Sequence, residues 1–175
     1  MSRLGPRFPV LDAAGDPVRR AGFEGFISAD GLRDSRCAQV PESPGVYLVV
    51  HASDILPQFL RTSHAGWFKG RDPTVPVATL KANWVPSASV LYIGQAGGKQ
   101  SSVTLRQRLW LYIRFGAGES VGHRGGRYIW QISDAWSLRF AWRPTPTQDP
   151  CDVEGDLLSE FKAEYGARPF ANLTG

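Results

Sequence analysis

Two apolar runs in the middle of the chain predict neighbouring β-strands. The runs SPGVYLVVH (residues 43–51) and SVLYIG (residues 89–94) are rich in Val, Tyr, Leu and Ile, which favour strands. The first run alternates poorly, which predicts a central strand buried on both faces. Residues 137–144 do alternate, apolar against arginine, and predict a third strand with arginines on an open face.

Apolar residues spaced by three and four predict two helices. The first begins with an N-cap at Thr104 or a nearby serine and ends at about Phe115. The second occupies DPCDVEGDLLSEFKAEYG, where Asp149 is a good N-cap, Pro150 suits the first helical position and Gly166 suits the end. With a short helix in RYIWQISD, the predicted order is strand, long insertion, strand, helix, short helix, strand, helix.

Two stretches fall outside this pattern. Residues 1–40 show weak periodicity and predict an irregular N-terminal extension with one short helix or strand. Residues 52–88 contain four prolines and form a long insertion between the first two strands, which is uncommon unless it is functional. We therefore assign residues 41–175 to one domain that carries this insertion.

Composition narrows the class of protein. No apolar run in the 175 residues is long enough to span a membrane or to form a secretory signal, and the two cysteines lie far apart. We therefore expect a cytoplasmic protein without a disulfide framework. Residues 99–143 hold eight Lys and Arg residues against two acidic ones, as a surface that faces phosphate would. An arginine-rich but otherwise ordinary soluble protein explains the charge equally well.

The glycine loop in VLYIGQAGG (residues 90–98) poses the question of a nucleotide cofactor. A dinucleotide site needs G-x-G-x-x-G and a P-loop needs GxxxxGK[ST], whereas Gly94, Gly97 and Gly98 match neither spacing. We therefore do not expect a nucleotide cofactor. Gly94 is instead expected to let a substrate backbone approach the strand.

A succession of short matches resembles the GIY-YIG endonuclease superfamily. PGVY (44–47) and LYIG (91–94) resemble the two halves of its motif, and TLRQRLWLY (104–112) resembles the helix with its catalytic arginine. VEGDLLSEF places Glu154 at the family's metal-binding glutamate, and RPFAN (168–172) resembles the ending seen in the excision-repair branch. The resemblance implies an α+β fold with a small three-stranded, mainly antiparallel β-sheet flanked by helices.

The resemblance also implies a reaction, namely the hydrolysis of DNA phosphodiester bonds with one Mg²⁺ or Mn²⁺ ion. Tyr47 would be the general base, Tyr92 would position phosphate or water, and Arg108 would stabilise the transition state. Glu154 would bind the metal ion, and Asn172 would fix either the glutamate helix or the site through hydrogen bonds. Such an endonuclease would serve repair, restriction or phage defence and would leave 5′-phosphate and 3′-hydroxyl ends.

Elementary chemistry agrees with most of these roles. Mg²⁺ keeps several waters and completes its shell with one or two carboxylates and substrate phosphate, and an arginine fork matches phosphate oxygens. A tyrosine base is harder to explain, because a pKa of about 10 leaves about one side chain in a thousand ionised at pH 7. The alternative for Tyr47 and Tyr92 is a packing role in their strands, without a part in catalysis. The alternative for Glu154 is an exposed position on its helix.

Cations and aromatic residues outside this set are candidates for binding nucleic acid. Arg106 is the rival of Arg108, but two residues turn a helix by about 200°, which favours a solvent or backbone contact for Arg106. The stretch WFKGR in the insertion either clamps DNA or covers a satellite core. The candidate contacts are Lys69, Arg71, Lys99, Arg106, Tyr112, His123, Arg124 and Arg127.

Two departures from the family keep a second function open. About 44 residues separate the half-motifs, a longer linker than usual, which indicates a specialised branch. Gln95 stands where many relatives have lysine, and Lys69 or Lys99 would have to replace that cation. The glutamine favours a non-catalytic nucleic-acid-binding module that keeps the fold, whereas the retained catalytic set favours an endonuclease. RNA is an alternative to DNA as the partner.

Overall fold

One antiparallel sheet forms the centre of the computed structural model, which describes residues 16–53, 55–123 and 125–173. Its strands are β1 (Glu24–Ser28), β2 (Gly45–Val50), β3 (Val90–Ala96) and β4 (Arg139–Pro144). They lie in the order β1-β4-β2-β3. The α+β class is confirmed, but the prediction of three strands is wrong, because a segment of the N-terminal extension adds a fourth.

Five α-helices surround this sheet in the part of the chain that the structure describes. They are α1 (Asp16–Arg20), α2 (Ala29–Asp34), α3 (Val77–Asn83), α4 (Leu105–Gly116) and α5 (Pro150–Tyr165). The predicted short helix is a 3-10 helix at Arg127–Gln131, followed by a second at Ala135–Ser137. None of these helices is long and apolar enough to cross a membrane.

The two long helices begin and end where the sequence predicts. Thr104 and Gln107 form a capping box at the start of α4, in which each side chain accepts a hydrogen bond from the other's backbone N–H. Asp149 caps α5 by accepting from the backbone N–H of Cys151 at 2.9 Å. Gly166 ends α5 in the left-handed conformation, with φ +71°.

The fourth strand, β1, carries an irregularity that hides it in the sequence. Its pairing with β4 shifts between Gly25 and Ile27, and the intervening Phe26 has a φ of +56°. A bulge of this kind breaks the alternation of apolar and polar residues on which strand prediction depends. Gly25, with φ +94°, lies under Trp142, and a Cβ there would be 2.5 Å from the indole ring.

The central strand β2 is buried along all six residues, as its weak alternation predicts. Tyr47 lies opposite Trp142 on β4 and opposite Gly94 on β3. A Cβ at Gly94 would lie 2.5 Å from the Tyr47 ring, so only glycine leaves space for that ring. The close approach that we expected of a substrate at Gly94 is therefore made by Tyr47.

Both faces of the sheet are covered. Helices α2 and α4 pack on one face, around Leu109, Ile113 and Phe140, and α5 packs on the other, with Leu157 and Phe161 in its core. The predicted open face of β4 is only partly present: Arg139 is exposed, but α1 and the residues after it cover the face from Ala141 onward. On β4, the Arg143 guanidinium donates to the carbonyl of Ala21 at 2.7 Å and lies over Phe23.

The insertion is fastened to the domain by one buried glutamine. The Gln131 amide donates to the carbonyls of Leu60 and Val75 at 2.9 and 2.7 Å and accepts from the N–H of Val75 at 2.9 Å. Phe59 also pairs with Ile132 in an isolated bridge. The insertion is therefore an integral layer of the domain with its own helix, α3.

Candidate functional site

A cavity of about 200 Å³ opens where β2 and β3 meet α4, α5 and the loop before the first 3-10 helix. It gathers four residues of the predicted catalytic set from separate parts of the chain. A glutamine, a histidine and two glycines also line the cavity. The lining residues are Tyr47, Tyr92, Gln95, Arg108, Gly122, His123, Gly125 and Glu154.

Two tyrosines form the wall contributed by the sheet. Tyr47 is 1% exposed and its ring centre lies 5.9 Å from that of Tyr92. The hydroxyl groups of Tyr47 and Tyr92 are hydrogen-bonded to each other. Burial raises the pKa of Tyr47 well above its ordinary value, and burial followed by the charge of Glu154 raises the pKa of Tyr92 to about 12. Both phenols are therefore neutral near pH 7.

Arg108 is placed on α4 with an unused donor. Its Nε is buried and has no hydrogen-bond partner among the described residues. Glu154 lines the same cavity, yet within the described chain no ion pair joins the two side chains. Buried polar groups normally have partners, so the cavity has room for an anionic group beside this guanidinium.

Glu154 lies on the face of α5 that turns toward the sheet, and it is partly buried. Burial raises the pKa of its carboxyl group, and the charge of Arg108 opposes that shift. Across residues 16–53, 55–123 and 125–173, no three His, Cys, Asp or Glu side chains cluster as a metal cage. A cation held here would thus depend on few protein ligands, which suits Mg²⁺ or Mn²⁺ and does not suit Zn²⁺.

His123 forms the opposite wall and is 5% exposed. Its ring stacks on Tyr112 with centres 4.1 Å apart. Burial and the nearby Arg108 lower the pKa of His123 to about 3, so its imidazole is neutral near pH 7. Neither ring nitrogen has a hydrogen-bond partner among the residues that the structure describes. A neutral imidazole offers one donor and one acceptor to whatever enters the cavity.

Tyr112 supports the loop that carries His123. It is wholly buried, and its hydroxyl donates to the carbonyl of Gly126 at 2.7 Å. Gly126 has φ +70°, and a Cβ there would lie 2.3 Å from the Tyr112 hydroxyl. Tyr112 was predicted as a nucleic-acid contact, but its position in the core makes it a support for the histidine.

Two further predicted residues lie outside the cavity, where their side chains form hydrogen bonds with backbone groups. Arg106 donates to the carbonyls of Val40 and Ala38 and pairs with Glu42, so it fastens the N-terminal segment to α4. Asn172 donates to the carbonyl of Ile93 at 2.8 Å and accepts from its N–H at 2.9 Å. Asn172 thereby fixes the C-terminal segment to β3, one residue from Tyr92.

The predicted cations of the insertion lie on a turn beside the cavity. Phe68 and Arg71 close this turn, and Lys69 and Gly70 at its tip both have positive φ. The Phe68 ring packs against Gly122, at 3.3 Å from the position of a Cβ, so the turn adjoins the His123 loop. Trp67, which precedes the turn, is 56% exposed.

The remaining predicted contacts are dispersed. Lys99 is exposed in the loop after β3, where its backbone N–H donates to Asp149. Arg127 lines a separate groove of about 750 Å³ together with Trp84 and Arg168, neither of which we predicted. Arg124 lies outside the described residues. Trp84 and Arg168 are far apart in sequence, so no local pattern indicates that they line the same groove.

No protein-family model, curated protein or solved structure matches this chain.

Proposed function

We propose that this protein is a divalent-metal-dependent endonuclease of the GIY-YIG type that hydrolyses phosphodiester bonds in DNA. The observation that carries the proposal is the position of Arg108 and Glu154 in one cavity with no ion pair between them. Both side chains are partly buried, and a charged group shielded from water normally has a partner of opposite charge. Their separation leaves room for a phosphate group at the arginine and a cation at the glutamate.

The size and polarity of the cavity support this occupant. About 200 Å³ accommodates a phosphate group and a few waters, at roughly 30 Å³ for each water. Arg108 presents donors that match phosphate oxygens, and Glu154 presents an acceptor that matches a hard cation. A bound Mg²⁺ or Mn²⁺ would supply charge neutralisation for the phosphoryl oxygens and the leaving oxygen.

The tyrosine pair suggests a route for the proton of the attacking water. Tyr92 is the less buried of the two phenols; burial and Glu154 raise its pKa, whereas the hydrogen bond with Tyr47 and the charge of Arg108 lower it. That bond and Arg108 both favour the Tyr92 phenolate. We therefore assign the role of general base to Tyr92, and we assign to Tyr47 the role of orienting Tyr92. This assignment reverses the roles expected from the sequence. Water then attacks phosphorus, and the bond to the 3′ oxygen breaks.

The surface around the cavity supports a nucleic-acid substrate. Trp67 offers an exposed aromatic face beside the cavity, and Lys69 and Arg71 lie on the turn next to it. Stacking combined with cations is the usual means of holding a single strand. Service in repair, restriction or phage defence rests on the sequence resemblance alone. Both cysteines are free thiols, which supports a cytoplasmic location.

A second candidate function is a non-catalytic nucleic-acid-binding module. The raised pKa values of both tyrosines favour it, because neither phenol is ionised near pH 7. Such a module would use Arg108 and His123 to bind a phosphate and would have no use for a cation at Glu154.

A cleavage assay separates the two candidates. Purified protein is incubated with single-stranded, nicked and duplex DNA in Mg²⁺, Mn²⁺ or EDTA, beside Glu154→Ala and the matched control Glu164→Ala, an exposed glutamate on the same helix. We expect cleavage by the wild type and the control in either metal, none in EDTA and none by Glu154→Ala. Tight binding without cleavage under every condition supports the binding module.

A further inference from the structure

Gln95 directly follows the motif glycine on β3 and reaches the same cavity as Glu154. It pairs across the sheet with Val46, whose side chain belongs to the core cluster beneath α5. Since directly opposed residues project from the same face of a sheet, Gln95 projects toward α5, the helix that carries Glu154. Sheet register and cavity lining thus agree on where its amide lies.

The side-chain oxygen of Gln95 is left without a partner. Oε1 is fully buried, and no donor among the described residues bonds to it. The same cavity contains a second acceptor, the Glu154 carboxylate, which has no ion pair with Arg108 in the described chain. A buried oxygen acceptor without a donor is unfavourable unless something positive lies beside it, and the partly buried Glu154 carboxylate attracts a cation to the same cavity.

We propose that Gln95 supplies the second protein oxygen ligand of the divalent-cation site, beside Glu154. Amide and carboxylate oxygens are the ligands that Mg²⁺ and Mn²⁺ prefer, and two protein ligands leave positions for water and substrate phosphate. The proposal rests on the proposed function, because the cation is the one used in hydrolysis. It also gives Gln95 a role that requires an amide oxygen and not a lysine ammonium group.

Metal binding by the intact protein without DNA tests this directly. Free Mn²⁺ is counted by electron paramagnetic resonance as protein is titrated with Mn²⁺, for the wild type, Gln95→Leu, Gln95→Glu and Glu154→Ala. The matched control is Gln100→Leu, an exposed glutamine in the loop that follows β3. We expect Gln95→Leu to weaken Mn²⁺ binding roughly tenfold and Gln95→Glu, which adds charge at similar size, to strengthen it. Gln100→Leu should bind as the wild type does.

The outcomes separate this proposal from the nuclease proposal. If Gln95→Leu binds Mn²⁺ like Gln100→Leu while Glu154→Ala loses binding, Gln95 is not a ligand and the nuclease proposal survives. If the wild type binds no Mn²⁺ at millimolar concentrations, both proposals fail. Should Gln95→Leu not fold by circular dichroism, Gln95→Glu decides, and Mn²⁺ binding no tighter than that of the wild type overturns the assignment.

Discussion

The hydroxyl groups of Tyr47 and Tyr92 are hydrogen-bonded to each other, across the neighbouring strands β2 and β3. Gly94 opposite Tyr47 leaves the space in which that ring lies. The hydrogen bond holds the two phenols together in the wall of the cavity. We propose that Tyr92, the less buried of the two, contacts the reacting water.

The two tyrosines should differ when each is replaced by phenylalanine. Tyr92→Phe removes the proposed base and is expected to lower the cleavage rate by about 100-fold or more. Tyr47→Phe removes a hydrogen bond that lowers the pKa of Tyr92, so cleavage should persist with a smaller loss. Single-turnover cleavage rates measure both, and equal rates for Tyr92→Phe and the wild type would remove Tyr92 from the mechanism.

The pH dependence of cleavage follows from the same pair. A base acts when deprotonated, and the Tyr92 pKa is about 12, so the rate should rise with pH from neutrality through at least pH 9. Tyr47→Phe should move this rise to higher pH, because the Tyr92 phenolate loses a donor. A profile of kcat/KM that is flat between pH 7 and pH 9 would contradict Tyr92 as the base.

Gly94 should be intolerant of even one added carbon. Gly94→Ala places a Cβ 2.5 Å from the Tyr47 ring, and we expect it to destabilise the fold by roughly 1–3 kcal/mol. The matched control is Gly155→Ala on α5, where a Cβ meets nothing within 4 Å and helix propensity predicts a gain of about 1 kcal/mol. Urea unfolding of both variants measures the free energies, and a neutral Gly94→Ala would show that the ring moves without cost.

The sequence predicts those features of the fold and site that depend on residues close together along the chain. The caps of α4 and α5 are local, so Thr104 and Asp149 mark those helices correctly. Arg108 and Glu154 each stand in a short motif that the sequence singles out, and the structure brings both to one cavity. The fourth strand has no such signal, since the bulge at Phe26 destroys its periodicity.

The parts that the sequence misses depend on packing between distant residues. Tyr112 lies on α4 at a position that the sequence predicts to be part of the site. In the structure, its hydroxyl instead donates to the carbonyl of Gly126 in the core. The orphaned oxygen of Gln95 and the separation of Arg108 from Glu154 are properties of the assembled cavity. No spacing along the chain encodes them.

His123 should make the fold less stable in acid. Its folded pKa of about 3 lies below an ordinary value of about 6.5, so the unfolded chain binds the extra proton between these limits. Stability is therefore lost as pH falls from about 6.5 toward 3, by roughly 3–5 kcal/mol for this group. His123→Phe keeps the stacking on Tyr112 and cannot titrate. Urea unfolding at pH 4 and pH 7 should show a smaller pH dependence for His123→Phe, and an unchanged one would contradict a neutral buried histidine.

The turn of the insertion should bind DNA without taking part in chemistry. Trp67→Ala is expected to weaken binding of single-stranded DNA by roughly tenfold, as the loss of one base–aromatic stack does. Fluorescence anisotropy in Ca²⁺ measures binding. Ile55→Ala is the control, because Ile55 is 73% exposed in the same insertion. Equal losses in the two variants would indicate a general effect on the insertion rather than stacking at Trp67.

The central claim is that Arg108 and Glu154 serve one phosphoryl-transfer site, and its most direct test is a double-mutant cycle of single-turnover cleavage in Mg²⁺. Residues that act as one catalytic unit lose rate non-additively. We predict that Arg108→Ala, Glu154→Ala and the double variant each lose at least about 1,000-fold, with the double variant no slower than the slower single variant. Cleavage that persists in both single variants, or a wild type that never cuts DNA in Mg²⁺, would contradict the claim.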